Sequence, residues 1–170
     1  MGTENLSPEM EIILPETLIP WGKTIAYAAV AMLVSEDGEY LLQLRDGTPG
    51  IWYPEILCFF GGRIDAGEDA ETALRRELME ELEFSPRALT YFSFICYGTA
   101  RFEPGIGCRC IYEVEVTKDD MAAMKQHEGA GTKLLSPEEV LSHKHPISPV
   151  DMQMLYVHIM GRGLAPQPTG

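Results

Sequence analysis

Between Gly62 and Phe84 the chain reads GRIDAGEDAETALRRELMEELEF, and no other stretch constrains it as strongly. Wound as a helix at about 100° per residue, it places Ala70, Ala73, Leu74, Glu77 and Glu81 on one stripe. That is the i, i+3, i+4 spacing of a face turned to a core. Glu80 lies at its edge. Carboxylates therefore continue an apolar, inward-facing surface. Glu77 and Glu81 are like charges one turn apart, which repel, and burying carboxylates without partners is costlier still. A divalent cation relieves both penalties, and an all-oxygen ligand set suits Mg²⁺ or Mn²⁺. The competing reading is a solvated acidic face, but such a face should lie opposite the alanines rather than among them.

The spacing Gly62, five residues, Glu68, seven residues, then Arg76-Glu77-Leu78-Met79-Glu80-Glu81 resembles the signature of the Nudix hydrolases. Their pattern is G-x5-E-x7-R-E-U-x-E-E-x-G-U, with U a bulky apolar residue. Every fixed position matches except one: Glu83 stands where the family has its last glycine, before the apolar Phe84. A glycine there adopts the left-handed conformation that closes a helix. Glutamate in that conformation costs roughly 1 kcal/mol of backbone strain, or the helix ends differently. The change removes no chemical group of the motif.

Bulk properties fit one folded domain. At 170 residues and 45% apolar content the chain can bury a sizeable core. Its net charge of −13 argues against a nucleic-acid polymer as partner. A small phosphorylated substrate is compatible, because a bound metal supplies local positive charge. Cys58, Cys96, Cys108 and Cys110 lack metal-pair spacing and read as buried or half-buried thiols rather than zinc ligands or disulfides. The longest apolar run, Ile25 to Val34, is too short for a bilayer, and no leader is visible. No membrane association and a cytoplasmic location are the default expectations.

Along the chain, residues 1–22 read as an N-terminal extension in which Met10 to Leu14 could form an edge strand. A domain is expected over 23–161, with a flexible tail at 162–170. Strands are predicted at Ile25 to Val34, Tyr40 to Arg45, Leu57 to Phe60, Leu89 to Thr99, Cys108 to Val116 and Lys133 to Leu135. Helices are predicted from about Asp69 to Leu82, from the Ser136-Pro137-Glu138-Glu139 capping signal, and from Ser148-Pro149 to about Met160, with a helical turn in Thr117 to Ala123. This is an α/β chain, a mixed sheet with helices on its faces. The Nudix fold is such an α/β/α sandwich, so resemblance and pattern agree.

What the resemblance implies is specific. Nudix enzymes hydrolyse a nucleoside diphosphate linked to another moiety, using water and one or more Mg²⁺. By resemblance Glu77 and Glu81 are metal ligands, Glu80 a ligand or the water-activating base, and the Gly62 carbonyl a main-chain ligand. Arg76 is the orienting arginine of the catalytic set and Glu68 the loop-stabilising acid. A further catalytic carboxylate often comes from a distant loop. Glu128, in His127-Glu128-Gly129, resembles it and otherwise reads as a surface turn residue; Glu103 and Glu113 are weaker alternatives, and Glu113 and Glu115 read as solvent-facing.

Substrate contacts are less legible. Arg45 is expected to meet phosphate or to form a structural salt bridge with Asp46 or a neighbour. Arg101 and Arg109 lie beside the expected cleft, where surface roles compete with phosphate binding. Trp52 and Tyr53, in a Gly/Pro loop, are the expected stacking contacts, whereas Phe59 and Phe60 read as core. Sugar nucleotides, ADP-ribose, dinucleoside polyphosphates and oxidised nucleoside triphosphates all stay open. A non-catalytic nucleotide-sensing module on the same fold is the second reading, although such modules usually lose box glutamates. A homodimer is compatible with the resemblance.

Overall fold

The computed structural model describes residues 24–48, 53–98 and 105–163. The proposed strand at 10–14, the extension at 1–22, the tail from 164, and Trp52, Arg101 and Glu103 lie outside the described residues.

The apolar run becomes strand β1 (Thr24–Ser35), the spine of the molecule. Its side chains alternate between two cores. Ala29, Ala31 and Leu33 pack with Ala73, Leu74, Leu78 and Leu82 of helix α1 (Ala70–Leu82). Val30, Met32 and Val34 pack with Met154, Leu155 and Ile159 of helix α4 (Pro149–Gly161). A strand covered on both faces reads as a continuous apolar run rather than an alternating one. The two cores and the sheet between them make three layers.

Around β1 lie β2 (Tyr40–Leu44), β3 (Leu57–Cys58), β4 (Phe60–Arg63), β5 (Thr90–Gly98), β6 (Gly105–Val116) and β7 (Gly131–Leu135). The order is β3-β2-β1-β6-β5, with β4 also on β1 and β7 also on β2. β1 runs parallel to β6 and antiparallel to β2 and β4, so the sheet is mixed. The expected strand Leu57 to Phe60 is two strands with different partners: β3 pairs β2, and β4 pairs β1. Within β4, Gly61 lies in the left-handed half of backbone space, at φ 119°, and a Cβ there would stand 2.3 Å from the Ala29 carbonyl oxygen. Only glycine lets β4 approach β1 so closely.

Local chemistry sets the helix ends. The Asp69 carboxylate accepts the Thr72 N–H at 2.7 Å and opens α1. Ser136 and Glu139 form the expected capping box before α3 (Pro137–Leu141), and Thr117 and Asp120 form another before α2 (Lys118–Ala123). At the far end of α1, Glu83 takes the left-handed conformation at φ 51° and ψ 33°. The closure expected of glycine is thus kept in spite of the side chain, with the Glu83 N–H on the Met79 carbonyl at 3.0 Å.

Two expectations are corrected. Cys96 and Cys108 stand directly opposite on β5 and β6 and form a disulfide, while Cys58 and Cys110 are free. Cross-strand register pairs them, and spacing in the chain does not encode register. Glu113 does not face solvent. It reaches under the sheet to the buried His158, Nε2 to Oε2 3.1 Å, and also meets Arg162. The Tyr40 hydroxyl closes this chain on His158 Nδ1 at 2.7 Å. Burial holds the His158 imidazole below its usual pKa, against the opposing pull of Glu113. Phe59 and Phe60 are core, as expected. Among the described residues no helix is long and apolar enough to cross a membrane.

Candidate active site

The inward face of α1 meets the Gly61-Gly62 pair of β4. Glu81 is 4% exposed. Its Oε2 accepts the Gly61 N–H at 2.8 Å, and its Oε1 accepts the Gln43 side-chain amide at 3.3 Å. Burial pushes its carboxyl up to about 7; the charges of Glu128 and Glu77 add to the rise, and the Gly61 hydrogen bond opposes it. Glu77 lies against bare backbone. A Cβ built on Gly62 would stand 2.5 Å from the Glu77 carboxyl carbon. A missing side chain therefore makes the space that the carboxylate fills.

Arg76 ties this region together. It grips Glu68 with two hydrogen bonds, 3.1 and 2.9 Å, and also reaches Glu77 at 2.8 Å, Glu80 at 3.3 Å and the Arg63 carbonyl at 3.0 Å. Its grip holds Glu68 below the usual carboxylate range. The loop between β4 and α1 is thereby fastened to the helix. Glu80 is 60% exposed, on the rim rather than in the floor. Among the described residues, no three acidic, cysteine or histidine side chains converge at metal-binding distance. The donor set nevertheless fits a hard cation: three carboxylates on one helix face, and the Gly62 backbone with no Cβ between it and Glu77. Ligation calls for Glu77 and Glu80 to turn from Arg76 to the ion.

Glu128 is joined to Glu81 through Gln43, whose amide reaches the Glu81 carboxylate and the Glu128 carbonyl; its side chain is 56% exposed, with Arg45 Nη1 3.9 Å from its Oε1. Arg45 thus has Glu128 as its acidic partner, whereas the Asp46 carboxylate accepts the Thr48 N–H at 2.9 Å. The Arg45 Nε is buried without a hydrogen-bond partner among the described residues.

Beside the glycine pair opens a cleft of about 300 Å³, lined by Tyr27, Gly61, Gly62, Arg63, Tyr97 and Arg109 among others. Arg109 is no surface residue. It pairs with the buried Asp151 at 2.8 Å and lies 5.4 Å over the Tyr97 ring. Asp151 also accepts the Ser148 hydroxyl and the Phe59 N–H. Tyr53 lies near enough to act on the ionisation of Tyr97 and Arg109. Sequence reasoning missed Asp151, Ser148 and Gln43. Ser148-Pro149 reads only as a helix start, Gln43 only as a polar position of an alternating strand, and Asp151 carries no signal of its own.

A family model described as NUDIX domain matches residues 24–155. The chain belongs to the NUDIX domain family. An 8-oxo-dGTP diphosphatase of Haemophilus influenzae is 41% identical over 61 residues, which is 35% of this chain and 43% of that protein. The chain thus spans less than half the length of that curated relative. The solution structure of the E. coli ORF135 protein superposes with a TM-score of 0.66 at 25% identity, covering 86% of this chain and 98% of its own. The MutT protein from Methanosarcina mazei Go1 superposes with a TM-score of 0.69 at 16% identity, covering 85% and 99%, and shares the Nudix fold. The mixed sheet and its flanking helices are those of that fold.

Proposed function

We propose that the chain is a hydrolase that uses Mg²⁺ or Mn²⁺ to cleave the pyrophosphate bond of a nucleoside diphosphate linked to another moiety. One observation carries the reading. A buried carboxylate, Glu81, and a second, Glu77, share one helix face at a glycine pair: the Gly61 N–H holds Glu81, and the missing side chain of Gly62 leaves room for Glu77. Such an arrangement is unfavourable for folding and useful for holding a cation.

Glu77, Glu80, Glu81 and the Gly62 carbonyl would hold the ion. Bound there, it supplies positive charge to phosphate oxygens and acidifies water. The chain's own groups supply the remainder. The Gly61 N–H holds Glu81 in one orientation and leaves lone pairs on both its oxygens. Arg76 fixes the loop that carries Gly62 and Glu68. Glu80 and Glu128 are exposed carboxylates, and either would accept a proton from attacking water. Arg45 offers a phosphate oxygen its Nε–H, which has no partner among the described residues. The non-phosphate moiety lodges in the cleft against Tyr97, with Arg109 held as a wall by Asp151, and Tyr53 is a proposed stacking contact. Trp52 and Arg101 remain proposed contacts.

The relative named for 8-oxo-dGTP makes oxidised nucleoside triphosphates the first substrates to try. The test is product analysis by anion-exchange chromatography. The protein is incubated with Mg²⁺ or Mn²⁺ and a panel of nucleoside triphosphates, sugar nucleotides, ADP-ribose and dinucleoside polyphosphates. Wild type should cleave one class; Glu77→Gln and Glu81→Gln should lower turnover by at least about 10³-fold while keeping a folded circular-dichroism spectrum. Ligand binding by wild type without turnover on any member would favour the sensing module instead.

A further inference from the structure

Glu83 occupies a left-handed position where glycine is free of strain, so its side chain calls for an account. Its carboxylate has two cationic-type partners on one distant segment: Lys125 Nζ at 2.8 Å and His127 Nε2 at 2.8 Å. The same segment is bonded through its backbone to the end of α1. The Lys125 N–H donates to the Leu82 carbonyl at 2.9 Å, and the His127 N–H donates to the Glu81 carbonyl at 2.8 Å. Residues 125 and 127 therefore alternate toward the helix end, while Gln126 turns the other way.

The next residue is Glu128. Its carbonyl accepts the Gln126 side-chain amide at 2.6 Å and that of Gln43 at 3.4 Å, and Gln43 also bonds Glu81. Beyond it, the Ala130 N–H returns to the Leu44 carbonyl at 2.8 Å. The loop is thus pinned at both ends, and one pin is the Glu83 side chain.

We infer that Glu83 is a positioning residue: it clamps residues 125–127 to the end of α1 and so holds Glu128, with its carboxylate beside Arg45, at the Gln43 bridge to Glu81. The inference rests on the reading of Glu81 and Glu128 as members of one active site. A glycine at 83 closes the helix equally well but leaves the loop with its backbone bonds alone. The motif's departure at this position exchanges an unstrained cap for a grip on the loop.

Glu83→Gly tests it, because glycine suits the backbone there and the variant keeps its fold. Hydrogen exchange is followed in amides 124–130 and in α1, and kcat and KM are measured on whichever substrate the wild type cleaves. The variant should exchange the 124–130 amides about 10-fold faster, with α1 unchanged. Its kcat should fall by about 3- to 10-fold, with KM within twofold. Adding Glu83→Gly to Glu128→Gln should bring no further fall. Raising NaCl to about 0.5 M should move wild-type exchange toward the variant's, since exposed ion pairs are screened. Unchanged exchange overturns the clamp. Faster exchange with kcat intact, where Glu128→Gln alone lowers kcat, overturns the positioning role. A wild type that cleaves nothing, or a Glu128→Gln variant as active as wild type, overturns the reading of the site itself, and that failure shows without Glu83→Gly.

Discussion

At the scale of single residues, Glu81 concentrates the conflict between stability and function. Its carboxyl is pushed up to about 7 by burial first, then by the charges of Glu128 and Glu77. In the unfolded chain it titrates near 4.5. The folded state thus binds the proton more tightly. The stabilisation is complete below the unfolded value and is lost as pH rises through about 7. The loss is at most about 3 kcal/mol in the metal-free protein. Glu81→Gln removes the titrating group and keeps its shape. Urea unfolding at pH 5 and pH 8 should therefore show wild type losing stability relative to Glu81→Gln at the higher pH. Parallel behaviour of the two proteins would sink this account of Glu81. The helix wheel made Glu81 legible as an inward carboxylate. Its partners Gln43 and Gly61 were not legible, because they come from other strands.

At the scale of elements, α1 is built from a cap and a stripe. Asp69 caps it, and Leu74, Leu78 and Leu82 bury it against β1. Asp69→Ala should cost about 1 kcal/mol. Leu78→Ala, which empties a fully buried position, should cost about 2–5 kcal/mol. Chemical denaturation measures both, and a Leu78→Ala loss no greater than that of Asp69→Ala would contradict the packing described. Elements of this kind are readable in advance because period, cap and punctuation are local. The start of α1, the helix after the Ser136 capping signal and the long strands fall within three residues of their expected bounds, β6 beginning three residues earlier than expected. The split of residues 57–63 into β3 and β4 was not readable. It depends on which neighbour each half finds, and β1 offers one edge to β2 and β4 in succession.

At the scale of the whole molecule, the net charge of −13 and the gathered carboxylates of α1 act together. Self-repulsion destabilises a compact state of one sign, and an ion bound only by the folded state stabilises it in proportion to occupancy. Mg²⁺ at about 5 mM should raise the Tm of wild type above that in NaCl of matched ionic strength. The double variant Glu77→Gln, Glu81→Gln should show the two salts acting alike. Differential scanning fluorimetry measures this without any substrate. Equal shifts for wild type in both salts would count against a metal site on α1.

The residues taken in order were enough to determine the α1 helix, its acidic stripe, the family resemblance and the apolar strand that becomes β1. Each rests on spacing within one element, and the hydrophobic period carries it. Tertiary structure alone decided the Cys96–Cys108 pair, the Arg109–Asp151 pair across 42 residues, the Gln43 contact with Glu81 across 38, and the loop that brings Glu128 to Arg45. The physical reason is register. Which residue stands opposite which is set when strands align and helices dock on them, and no residue carries that information in its own neighbourhood.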